Sequence, residues 1–315
     1  MRHFFRGLLF LSWCTSVNAH EAMPLVAVGQ IVEHPALDTL RLGLKEGLEK
    51  QGYTEGKTLN WVYENAQGNP STAVQIGHKL VSLEPAVIVT LSTPMTQAVA
   101  ASTSTTPLVF GAVTDPSAAK LTTCPNVTGL TDFVPPQKQI ALIKMFLPHL
   151  KSLGLIFNTG EANSRKQVEE IKALCALEGI TVHEAPVTKT SDVLMVAKAS
   201  VGKVDAFLLP TDNTVISGLE AILKVANQYK VPVFGSDVDI VRRGALAAYG
   251  VDWHQSGLAL GDMVGKLLKG KTIKDVPIQH PTTLHLHVNE GTAQKVGVSI
   301  PDAVRKTADK VFPDS

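Results

Sequence analysis

The stretch Leu153-Gly154-Leu155-Ile156-Phe157-Asn158-Thr159-Gly160-Glu161-Ala162-Asn163-Ser164 constrains the fold more than any other. It opens with a short apolar run, the signature of a strand buried on both faces of a parallel sheet. The run breaks into a polar turn at Gly160. Val168, Ile171, Leu174 and Cys175 then recur at spacings of three and four, which predicts a helix. In an open α/β sheet, ligands bind beyond the carboxyl ends of the strands. Asn158, Thr159, Glu161, Asn163 and Ser164 fall at such an end, and their side chains carry both donors and acceptors. Taken alone, the loop reads more simply as a helix start capped by Asn163 or Ser164.

The same unit recurs along the chain. Residues 25–32 form an apolar run, and a helical pattern follows through Leu40, Leu44 and Leu48. Residues 59–66 alternate like a strand, and a second helix carries Val74, Ile76, Leu80 and Val81. Residues 87–91 and 108–113 are the next two strands, and Pro94 is well placed to start a helix. Residues 126–132 look like a crossover, after which the pattern restarts with a helix from about Pro136 to Phe146. Strands are then expected over 153–157, 179–185, 206–210, 231–235 and 245–249, followed by a helix through Leu258, Met263 and Leu267. Residues 284–288 alternate as an edge strand would. This pattern predicts an α/β protein with two doubly wound parallel-sheet lobes.

The N-terminus reads as a targeting segment. Arg2, His3 and Arg6 precede an apolar run, and Val17-Asn18-Ala19 is a small-x-small cleavage site. Residues 1–19 are therefore expected to be removed between Ala19 and His20, giving a periplasmic or otherwise extracytoplasmic protein. Bulky Trp13 before Cys14 argues against a lipoprotein signal. No later stretch approaches the length of apolar chain that a membrane span needs. The roughly 300 residues that remain are long for one core and comfortable for two lobes. A net charge of +1 with scattered lysines points away from nucleic acid. Cys124 and Cys175 are expected to be free thiols.

Polar residues concentrate at strand ends: Glu33 to Asp38, Ser92-Thr93, Thr114-Asp115, Asn158 to Ser164, Asp212-Asn213 and Ser236-Asp237. Three of these clusters fall in each half. If the halves face each other, the ends line one cleft suited to a small polar ligand. Hydroxyls and helix N-termini suit a carboxylate. Carboxylates such as Asp237 or Glu161 suit an ammonium. Each residue is also a respectable helix cap. Enzyme signatures are thin, with no P-loop, GxSxG or HExxH. The first strand lacks a GxGxxG after it, which disfavours a dinucleotide. No metal or cofactor site is expected. His34 reads as a structural hydrogen-bonder.

Several of these pieces carry a resemblance. They are residues 31–38, Ser92-Thr93-Pro94-Met95, Val113-Thr114-Asp115-Pro116, Asn126-Val127-Thr128-Gly129, Asn158 with Glu161-Ala162-Asn163-Ser164, Pro210-Thr211-Asp212-Asn213 and Tyr249-Gly250-Val251-Asp252. Together they resemble the extracytoplasmic substrate-binding proteins of ABC transporters, in the subgroup tied to tryptophan, tyrosine or phenylalanine. The resemblance implies a fold like the type I periplasmic binding proteins, with three hinge crossings near Leu130, Val251 and Pro281. Residues 20–130 and 252–281 would then form one lobe, and 131–251 with 282–315 the other. It implies a monomer that captures an amino acid and delivers it to a membrane permease. On that reading Ser92 and Thr93 hold the carboxylate, with Thr114 nearby, and Asp237 with Glu161 or Asp115 takes the amine. Asn158, Asn163, Ser164, Asp212 and Asn213 supply further polar contacts, while Ile31 and Tyr249 pack on an apolar side chain. Glu33 and Ser236 complete the set. A receptor-docking sensor with the same cleft, or an exported enzyme on the same fold, are the rival readings.

Overall fold

In the computed structural model, residues 23–313 are described. The expected signal segment, its expected cleavage site and Cys14 lie outside them. The first sheet contains β1 (Leu25–Gln30), β2 (Asn60–Asn65), β3 (Val87–Leu91), β4 (Leu108–Val113) and β5 (Val127–Thr131), all parallel, in the order β2-β1-β3-β4-β5. Every residue of β3, β4 and β5 is buried. That is why these strands read as unbroken apolar runs rather than alternating ones.

The second sheet contains β6 (Ser152–Asn158), β7 (Thr181–Val187), β8 (Ala206–Leu209), β9 (Val233–Gly235), β10 (Ala247–Gly250), β11 (His285–Asn289) and β12 (Lys310–Phe312). Their order is β12-β11-β10-β9-β8-β6-β7, parallel except for the antiparallel pair β10–β11. Each lobe has its own core: one cluster centred on β1, β3 and β4, and two more on the faces of the second sheet. The fold is α/β with two doubly wound lobes, as expected. One expectation is corrected. The strand at 284–288 is not an edge, because Lys310–Phe312 pairs with it in parallel and takes the edge position. Three residues with no alternation give no strand signal of their own.

The chain passes between the sheets after β5, after β10 and again before β11. The first and third passages are tied together. Thr131 N donates to Gln279 O at 3.0 Å, and Gln279 N donates to Gly129 O at 2.9 Å. The second passage feeds the helix Trp253–Leu268 back onto the first lobe, where Trp253, Leu260, Met263 and Val264 join its core. There it lies against the helix Pro35–Lys50 at backbone contact. A Cβ on Gly47 would stand 2.6 Å from Leu258 O and 3.0 Å from the Gly261 Cα, so only glycine permits the approach.

Candidate functional site

The strand ends of the two sheets meet at a cleft whose empty space, open solvent included, is about 370 Å³. The first lobe's contribution begins at Ser92, where β3 turns into the helix Thr93–Ala100. Ser92 stands at φ +96°, a conformation that a non-glycine residue adopts at a cost and that clusters at functional sites. Its backbone is fully used: N donates to Gly111 O at 3.0 Å and O accepts from Thr96 N at 3.1 Å. Its hydroxyl is not. Ser92 Oγ, Thr93 Oγ1 and Thr114 Oγ1 are all buried without a hydrogen-bond partner.

Asp132 follows β5, the next strand over. It is 3 % exposed, and neither carboxylate oxygen has a well-formed hydrogen bond. Burial pushes its pKa up to about 6; nearby Thr114 opposes the shift, and the charge of Asp237 adds to it. Native proteins pair nearly all their buried polar groups. The idle hydroxyls of Ser92 and Thr93, with Thr114 beside a carboxylate that lacks a well-formed hydrogen bond, therefore mark a place prepared for something else.

From the second lobe, Asp237 follows β9 and lines the same cavity. Its Oδ1 accepts from Trp253 Nε1 and from Asp239 N, each at 2.9 Å. Both of these bonds fall on Oδ1, not on Oδ2. Burial raises the pKa of Asp237. Leu37, Ala112, Ile216 and the Trp253 ring supply apolar wall.

The other two acidic residues expected at the second-lobe strand ends, Glu161 and Asp212, are occupied. Glu161 accepts from Thr214 N and Oγ1 at 3.0 Å each, from Asn213 N at 3.1 Å and from Asn213 Nδ2 at 2.6 Å. It anchors the start of the helix Asn213–Ser217, so it is not a free partner for an amine. Asp212 caps that helix by accepting from Val215 N at 2.9 Å, and it also accepts from Ser164 Oγ at 2.6 Å and Asn158 N at 2.5 Å. Burial and the neighbouring Glu161 charge push its pKa to about 8. Asn213 and His34 of the other lobe both line the cavity. His34 Nδ1 accepts from Leu37 N at 3.5 Å as the cap of the Pro35 helix, and burial lowers its pKa to about 4.

Of the expected residues, the structure brings Asn163, Asp212, Asn213 and Asp237 to the cavity wall. Ser92, Thr93 and Thr114 sit at the adjoining strand ends. The others lie elsewhere. Ile31 is in the first-lobe core, and Glu33 is exposed. Asp115 caps its own turn through Ser117 N and Ala118 N, each at 2.9 Å. Ser236 bonds Gln139 and Leu209 O. Asn158 bonds Thr214 and Gly160 N, and Ser164 serves Asp212. Tyr249 packs on the second-lobe core beside Lys138. Asp132, Trp253, Leu37, Ala112 and Ile216 were not expected. Asp132 carries the same strand-end signal as the others, but it ends the stretch 126–132, which reads as a crossover in the sequence and forms β5 in the structure.

Two α/β lobes around a shared cavity, joined by three chain passages, define a two-lobed binding protein for a small molecule. The ABC transporter substrate-binding family model matches residues 25–312, and the chain belongs to that family. The chain is 34 % identical over 272 residues to the tyrosine-binding protein of Clostridioides difficile strain R20291, covering 85 % of this chain and 79 % of that one. It is 33 % identical to a Streptococcus pneumoniae ABC domain solved in complex with L-Trp, with a TM-score of 0.88 over 92 % of this chain and 99 % of that one. A ligand-free, open substrate-binding protein with adhesive properties from Clostridium difficile matches at the same identity of 33 % and over the same 92 % and 99 %, but with a TM-score of 0.69. Proteins of this family bind small molecules outside the cytoplasm and work with ABC permeases. Among the described residues, no helix is long and apolar enough to cross a membrane.

Proposed function

We propose that this protein captures a free aromatic amino acid between its lobes and hands it to its permease. The carrying observation is the sorting of unpaired groups around the cavity: hydroxyls on the first lobe, carboxylate oxygens on both. A carboxylate needs donors, and Ser92, Thr93 and Thr114 are donors without employment. An ammonium needs acceptors, and Asp132 with Asp237 Oδ2 supplies them. A buried carboxylate is costly until a cation pairs it. The apolar wall of Leu37, Ile216 and Trp253 suits an aromatic ring. The tyrosine and tryptophan named for two relatives support the same reading.

The relatives also bear on the state of the lobes. At equal identity and coverage, the chain matches the tryptophan complex far better than the open, ligand-free structure. This supports reading the arrangement described above as the closed one. Closure requires that the ligand bind the closed form better than the open form, and groups contributed by both lobes supply that difference. Export with cleavage after Ala19, and action as a monomer, belong to the same proposal. Thermal-shift screening against the twenty amino acids and common sugars tests it. A ligand at about 100 times its dissociation constant adds roughly 2.7 kcal/mol of stability. Tryptophan, tyrosine or phenylalanine should shift the melting temperature. A shift with a sugar and with none of these three would contradict the proposal.

A further inference from the structure

Asn163 carries a buried acceptor that the rest of the protein leaves unused. It opens the helix Ala162–Leu177, lines the cavity and is 3 % exposed. Its amide nitrogen donates to Thr211 O at 2.7 Å and to Glu161 Oε2 at 3.3 Å. Those two acceptors decide which end of the amide is which. Turned over, it would set its own oxygen against two others. Oδ1 is thus held as an acceptor, buried and without a partner. A buried acceptor with no donor is costly, so it marks where a ligand donor arrives.

The ligand's ammonium does not account for it. That group has three N–H donors. Both oxygens of Asp132 are buried without a partner, and Asp237, whose Oδ1 takes Trp253 Nε1 and Asp239 N, lines the same cavity with Oδ2 outside those two bonds. Charged acceptors outcompete a neutral amide oxygen for an ammonium. The ligand's carboxylate offers no donor. Only the side chain of an aromatic amino acid is left.

We propose that Asn163 Oδ1 accepts a hydrogen bond from a donor on the ligand's side chain, the phenol O–H of tyrosine or the indole N–H of tryptophan, and so selects these over phenylalanine. This rests on the aromatic amino-acid reading and adds a rank order to it. The apolar wall alone accepts all three rings with little discrimination. A site built around a polar group rejects the analogue that lacks the matching donor much more strongly, because binding the analogue leaves that group unpaired.

Calorimetric titration of the wild-type protein with L-tyrosine, L-tryptophan and L-phenylalanine tests this. Tyrosine and tryptophan should bind about 10-fold or more tighter than phenylalanine. Asn163→Ala, checked for folding by unliganded thermal unfolding, should weaken tyrosine and tryptophan and leave phenylalanine within about 3-fold, so that the three converge. Equal wild-type affinities for all three would overturn the assignment without recourse to a variant. A uniform loss for all three in Asn163→Ala would also overturn it, by moving the amide to the ligand's headgroup. Binding of none of the three would overturn the aromatic reading itself, and this assignment with it.

Discussion

Trp253 donates its indole N–H to Asp237 Oδ1 at 2.9 Å, across the passage between the lobes. Trp253 belongs to the first-lobe core, whereas Asp237 ends a strand of the second. The bond holds one carboxylate oxygen and leaves the other for a ligand. Trp253→Phe removes the donor and keeps an aromatic, though smaller, ring. A hydrogen bond to a charged group contributes about 1.5–3 kcal/mol, so amino-acid affinity should fall roughly 10-fold or more by calorimetry. Unchanged affinity would mean that Asp237 needs no such support.

Asp237→Ala should weaken binding further. Losing one partner of a desolvated charge pair costs on the order of 2–5 kcal/mol, roughly 30-fold or more in affinity. Ser217→Ala is the control. Its hydroxyl only bonds Asn213 O within its own helix, so affinity should stay near that of the parent. Equal titration curves for Asp237→Ala and the parent would place the ammonium elsewhere.

Asp132 predicts a trade between stability and binding. Burial raises its folded pKa to about 6 from an ordinary value of 3.8. The unliganded fold therefore holds the proton more tightly than the unfolded chain does. Its ionised form costs stability above about pH 6, and that cost fades as pH falls towards the ordinary value. Asp132→Asn should raise the unliganded melting temperature at pH 7–8 by roughly 2 °C or more. The gain should shrink between about pH 6 and pH 4, while amino-acid affinity drops. A variant less stable than the parent at pH 8 would show that Asp132 is already satisfied within the protein.

Gly47→Ala tests how the second passage is anchored. The added Cβ meets Leu258 O at 2.6 Å. Overpacking of this kind costs about 1–3 kcal/mol, visible as a lower melting temperature. An unchanged melting temperature would mean that the two helices separate without cost.

The lobes were legible because a parallel strand buried on both faces writes an unbroken apolar run, as Val87–Leu91 does. The edge strand Lys310–Phe312 was not, since it is short and its identity comes from pairing with His285–Asn289. At the site, the positions of the strand ends were legible, but their states of satisfaction were not. Glu161 and Asp237 look alike in sequence. One is saturated by Asn213 and Thr214, about fifty residues away, and the other takes Trp253 Nε1 and Asp239 N on Oδ1 alone. Such long-range pairing leaves no local pattern. Trp253 shows the same limit: its ring reaches the cavity only because its helix returns to the first lobe.

Calorimetric titration of the wild-type protein with L-tryptophan, tryptamine and indole-3-propionate tests the central claim most directly. Tryptamine lacks the carboxylate, and indole-3-propionate lacks the ammonium. The account predicts tight binding of L-tryptophan and losses of roughly 30-fold or more for both analogues, because each leaves one set of buried groups unpaired. Analogues that bind as tightly as the amino acid, or no binding of L-tryptophan at all, would contradict it.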